Sequence, residues 1–291
     1  METRTITVPG GTLRTGSSGT PDRPAALLVH SGIAHAEMWF PLMRELDDEM
    51  FGVAYDCRCF GESTTTLDGE FSDIGDLASV LDAYGLESAV LVGESRGARL
   101  AVDFALAHPE RVRGLFLLAP DVSGLDTPVA DDERPLIDAV GAAEEAWDEA
   151  DEADEADTAR RVEELIAHEV RLFVDGPGRE PAPERAAVRE AVADMLRLNY
   201  TQQKDTPDFV KAEPAAGRLE KLDVPVRVLV GDADTTGMRA AAEEIERACP
   251  QASLVRVPDA AHALTLERGD IVVHELRTWL RELRQTPETA A

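Results

Sequence analysis

Lysine is almost missing from this chain. Of 291 residues, only Lys204, Lys211 and Lys221 are lysine, and every other member of the 29 basic residues is arginine. Against them stand 57 Asp and Glu, a formal net charge of −28. A surface so acidic repels phosphate backbones and anionic lipid, so nucleic acid and membrane are excluded as expected partners. A salt-adapted surface and a GC-rich genome both account for the bias; the local concentration of acid favours the second.

Cysteine is scarce too. Cys57, Cys59 and Cys249 are odd in number and too few for a disulfide framework. The first two are spaced like half a metal site, but no matching Cys or His cluster follows, so two reduced small side chains and no metal are expected. No apolar run approaches the roughly 18 residues a transmembrane helix needs. Residues 1–25 lack the apolar core of a signal peptide, so a cytoplasmic location is expected.

What is present is a regular alternation. Thr3–Val8 alternates apolar and polar residues up to the turn Pro9-Gly10-Gly11, and predicts a strand. Ala25–His30, Phe51–Tyr55, Ser88–Gly93 and Val112–Leu118 are short continuous apolar runs, as expected of strands buried on both faces. Between them, residues 36–46, 73–84 and 96–108 carry helical spacing, the last ending before Pro109. The alternation resumes with strands at Val226–Val230 and Ser253–Val257 and helices at Arg239–Ala248 and Ile271–Leu283. Strand following helix predicts an α/β fold, a mostly parallel sheet with helices on both faces.

From 121 to 215 the alternation stops. This helix-like, acidic interval predicts an inserted helical lid between core segments 1–120 and 216–291. Its run Glu144–Asp157 reads as a solvated helix face or an inter-helix loop rather than an interaction tail.

Gly93-Glu94-Ser95-Arg96-Gly97 fits G-x-S-x-G, immediately after one predicted strand and immediately before a helix. A strand turning sharply into a helix leaves no room for side chains two positions either side of the serine. The turn puts the Ser95 hydroxyl at a helix N-terminus, where developing negative charge is favoured. A serine needs a base and an orienting acid. Of the six histidines, His262 follows the last predicted strand, on a loop returning to the same sheet edge. His108 ends a helix; His168 and His274 lie in helical segments with structural roles expected. The acid should come from Gly231-Asp232-Ala233-Asp234, where two aspartates compete.

These residues resemble the α/β-hydrolase superfamily over nearly the whole chain, most closely bacterial enol-lactonase-like and esterase-like members with a helical cap. The order Ser95, Asp, His262 is that family's. The resemblance implies Asp234 as triad acid, with Asp232 turning the loop. His30-Ser31-Gly32 is similar to the family's H-G-x motif, with Ser31 in place of glycine, and implies an oxyanion hole from the N–H groups of Gly32 and Arg96. Asp56-Cys57-Arg58-Cys59-Phe60-Gly61-Glu62-Ser63 resembles a structural stretch of the family, with Cys59 replacing a glycine. His30 is expected to brace a loop.

The implied function is hydrolysis of a small-molecule carboxylic ester or lactone, without metal or organic cofactor. His35, Met38 and Trp39 are the expected substrate-binding residues. The Arg96 side chain either meets a substrate carboxylate or turns to solvent or Glu94. A homodimer is the assembly considered. An acyltransferase or cofactor-free perhydrolase would use the same triad, and a non-catalytic binding protein would share the fold.

Overall fold

A computed structural model describes residues 1–66, 69–150, 154–201 and 208–285. The strands are β1 (Glu2–Val8), β2 (Gly11–Ser18), β3 (Ala25–Val29), β4 (Phe51–Tyr55), β5 (Thr64–Thr65), β6 (Glu70–Phe71), β7 (Ala89–Glu94), β8 (Val112–Leu118), β9 (Asp208–Phe209), β10 (Val226–Gly231) and β11 (Ala252–Val257). The helices are α1 (Phe40–Glu45), α2 (Asp73–Ala83), α3 (Arg96–Ala107), α4 (Arg134–Asp148), α5 (Glu155–Glu169), α6 (Ala186–Tyr200), α7 (Thr236–Ala248), α8 (Leu264–Glu267) and α9 (Gly269–Gln285).

The main sheet runs β1-β2-β4-β3-β7-β8-β10-β11, with β5 paired to β2. From β4 to β11 all pairings are parallel, and β2 runs antiparallel to both β1 and β4. The period of two sorts each strand between two cores. Leu27 and Val29 of β3 face one core, with Leu77 of α2, Phe104 of α3 and Ile245 of α7. Ala26 and Leu28 face the other, with Met43 of α1 and Leu276 and Trp279 of α9. Helices therefore cover both faces, which is why the strands read as continuous apolar runs.

Strand β2 was not expected from the sequence. Its GTLRTGSS offers Leu13 as its lone large apolar side chain, yet four of its last five positions are buried, the chain being shielded between β1 and β4.

The middle interval holds α4, α5, a π-helical turn (Val170–Asp175) and α6. Val162, Ile166, Val170, Val192 and Leu196 form a separate apolar cluster that reaches the sheet-bearing segments through Ile33 and Ala263. Asn199 of α6 accepts the Gly61 N–H at 3.0 Å and donates to the Ala34 carbonyl at 3.1 Å. The acidic run 144–157 closes α4 and opens α5, with Asp154 capping α5 by accepting from Asp157 N–H; its residues 151–153 lie outside the described residues. Among the described residues no helix is long and apolar enough to cross a membrane.

Candidate active site

Ser95 sits between β7 and α3 with φ 55° and ψ −116°. For a residue with a Cβ this backbone is strained and persists only where its surroundings enforce it. The enforcement is visible. The Ser95 N–H donates to the Leu118 carbonyl at 2.9 Å, and its carbonyl accepts from Arg99 N–H at 3.0 Å. A Cβ on Gly93 would collide with the Gly97 carbonyl, and one on Gly97 with the Val29 carbonyl. Both glycines are thus required by close backbone approach.

Asp234 follows β10 and His262 follows β11; both are 2% exposed. The two loops are laced together by Asp232 N–H to the Val257 carbonyl and Ala233 N–H to the Ala260 carbonyl. His262 Nδ1 lies 3.0 Å from Asp234 Oδ2 and 3.2 Å from Oδ1. That pairing makes Nδ1 the protonated nitrogen and leaves Nε2 free to accept a proton. Burial opposes the imidazolium, but the charges of Asp234 and Glu94 outweigh it and hold the His262 pKa above its ordinary value. Asp232 is instead half exposed, 3.8 Å from Arg256.

Ser95, His262 and Gly32 line one cavity of about 440 Å³, within the usual range for small-ligand sites. Here the Ser95 hydroxyl makes no hydrogen bond to His262, a contact that often closes only with substrate bound. Among the described residues nothing accepts from the N–H of Gly32 or of Arg96. Ser31, 1% exposed, keeps a negative φ, so replacing the family's glycine costs no left-handed strain. Cys59 takes the other replacement differently: its φ is 65°. Its side chain reaches the cavity. Among the described residues no cluster of three His, Cys, Asp or Glu could hold a metal ion.

Residues 24–268 match the family described as alpha/beta hydrolase fold. The chain belongs to that family. This alpha/beta hydrolase is 26% identical, over 92% of its length and 94% of the relative's, to a Bacillus subtilis (strain 168) protein named for 2-succinyl-6-hydroxy-2,4-cyclohexadiene-1-carboxylate synthase. Among solved structures it resembles the esterase RhEst1 from Rhodococcus sp. ECU1013, with TM-score 0.75 and 22% identity over 97% of this chain and 100% of that one. The enol-lactonase from Burkholderia xenovorans LB400 superposes with TM-score 0.73 at 19% identity, over 96% of this chain and 100% of that one.

The structure corrects three sequence expectations. His35, Met38 and Trp39 do not line the cavity. Met38 and Trp39 are 2% and 0% exposed in the core beneath α1, where apolar burial claims them. His35 is turned to Asp56, 3.9 Å away, and caps the following turn by accepting from Glu37 N–H. The Arg96 side chain takes a fourth course: it pairs with Asp73 at 2.7 Å and lies over the Phe60 ring. His30 braces its loop, accepting the Cys57 N–H at Nε2 and donating from Nδ1 to the Ser31 carbonyl.

Sequence reading missed the side chains around the triad candidates. Glu94 is fully buried, and its Oε2 accepts from Thr265 Oγ1 at 2.5 Å and Thr265 N–H at 3.1 Å, while Oε1 has no partner among the described residues. A carboxylate ending the apolar strand AVLVGE was the available signal. Glu144, Trp147, Glu169, Phe173 and Tyr200 complete the cavity from the helical interval.

Proposed function

We propose that this alpha/beta hydrolase is a serine hydrolase that cleaves small carboxylic esters or lactones. The observation that carries the reading is a strained serine at a strand-to-helix turn, sharing a cavity with a histidine whose other nitrogen rests on a buried aspartate. Ser95 Oγ attacks the carbonyl carbon as His262 Nε2 takes its proton. Asp234 holds the tautomer and offsets the imidazolium charge. The N–H groups of Gly32 and Arg96 receive the tetrahedral oxyanion, each such donor contributing roughly 3–4 kcal/mol. Collapse expels the alcohol, protonated by His262, and leaves an acyl-enzyme that water hydrolyses by the same route. Residues 121–215 act in this reading as a cap that walls the cavity and limits water.

The relative named for a carboxylate does not set the substrate here, because Arg96 is already committed to Asp73. The deciding experiment is turnover of p-nitrophenyl acetate and butyrate by wild type and Ser95→Ala. A fall of at least about 10⁴-fold in kcat is expected; an undiminished rate removes Ser95 from the chemistry.

A further inference from the structure

The cavity's lining carries a charge pattern that bears on what it binds. Among the described residues no lysine or arginine lines it, while Glu144 and Glu169 do. Glu169 is 6% exposed, and its side-chain hydrogen bond comes from the Tyr200 hydroxyl at 2.8 Å. Among the described residues no basic side chain pairs with the buried Glu169, nor with Glu144, which is exposed at the cavity's edge. Among the described residues Glu94 and Glu133 are likewise buried without a lysine or arginine partner, whereas several other buried carboxylates have one. Asp76 is held by Arg58, Asp175 by Arg185 and Arg189, and Glu49 by Arg281 and Arg284. A buried carboxylate without a counter-charge is costly unless a partner arrives.

The neighbours of Glu169 suit one kind of partner. Trp147 and Tyr200 stand edge to face with ring centroids 4.9 Å apart. Phe60 and Phe173 add aromatic surface on the same cavity. Aromatic faces beside carboxylates attract ammonium groups by charge and quadrupole together, and repel carboxylates. We infer that the cap side of the cavity is a cation subsite, so that the ester or lactone carries an amine or quaternary ammonium group. The inference rests on the Ser95 reading for the bond cleaved, and on Glu169, Glu144, Trp147 and Tyr200 for the group recognised. Burial pushes the Glu169 carboxyl up to about 7; the Tyr200 hydrogen bond opposes this and the Glu144 charge adds to it. A seated cation would relieve the penalty.

Binding can be read apart from turnover. Ser95→Ala protein is titrated calorimetrically with benzyltrimethylammonium, its neutral isostere neopentylbenzene, and benzoate, at 0.15 M salt to damp the general acidity. The ammonium ion should bind at least tenfold more tightly than the neutral isostere, and benzoate should not bind. Glu169→Gln should remove most of that preference, whereas Glu184→Gln, the same charge change on an exposed site, should keep it. If Glu169→Gln does not fold by circular dichroism, Glu144→Gln serves, with a severalfold loss expected. Equal affinity for cation and isostere, or a preference untouched by the cavity variants, overturns the inference. Tight ammonium binding in a protein that cleaves no ester would leave the subsite standing and sink the hydrolase reading alone.

Discussion

Replacing Glu94 by glutamine separates the electrostatic cost of this carboxylate from its packing. Burial pushes the Glu94 carboxyl up to about 7, against the hydrogen bonds of Thr265. An acid with a folded pKa above its unfolded value binds its proton more tightly when folded. Its cost is therefore absent below the unfolded value near 4.5, grows as pH rises, and is complete above about 7. The difference of about 2.5 units corresponds to roughly 3 kcal/mol, of which about 2.5 kcal/mol develops between pH 5 and pH 8. Glutamine can keep the Thr265 interaction at its carbonyl but places an NH₂ where Oε1 has no partner, a penalty of about 1–3 kcal/mol that does not change with pH. The quantity to measure is thus the change with pH of the stability gap between Glu94→Gln and wild type, from urea unfolding at pH 5 and pH 8. The gap should move in favour of the variant by about 2 kcal/mol or more across that interval. The variant should also lower the acid limb of the kcat/KM profile, because the Glu94 charge helps hold the His262 pKa up. A gap independent of pH would refute the assignment of a buried, high-pKa acid beside Ser95.

Three further outcomes follow from the site. Gly97→Ala drives a methyl into the Val29 carbonyl; a loss of about 1–3 kcal/mol in urea unfolding is expected, along with lower turnover, and wild-type stability would show that the elbow can relax. Asp234→Asn should leave folding nearly intact by circular dichroism but cut kcat by around 10³–10⁴ by favouring the wrong imidazole tautomer; a loss under tenfold would remove Asp234 from its role. Cys59→Gly relieves the left-handed backbone at φ 65° and should raise stability by up to about 1 kcal/mol; destabilisation beyond that would mean the half-buried thiol packs more than it strains.

The parallel strands were legible because a strand covered by helices on both faces has no polar side to interrupt it. The Ser95 turn was legible because Gly93 and Gly97 are demanded by local backbone crowding. Strand β2 escaped because its burial is supplied by its neighbours and not by its own side chains. His35, Met38 and Trp39 were assigned to substrate because apolar residues beside a motif look the same whether they line a cavity or fill a core. Trp39 fills the core. The inward faces of α4 to α6 were equally hidden: an amphipathic helix announces that it has a buried stripe, while docking decides that Glu169 and Tyr200 turn toward Ser95.

The fastening of the helical layer has a consequence for the loop that carries His262. The Phe173 carbonyl receives the backbone N–H of His262 at 3.1 Å, and Asn199 grips the loops bearing Ala34 and Gly61. A layer swinging clear would pull on His262 and disturb its pairing with Asp234. Removing α4 to α6 is therefore expected to cost the His262–Asp234 pairing its support.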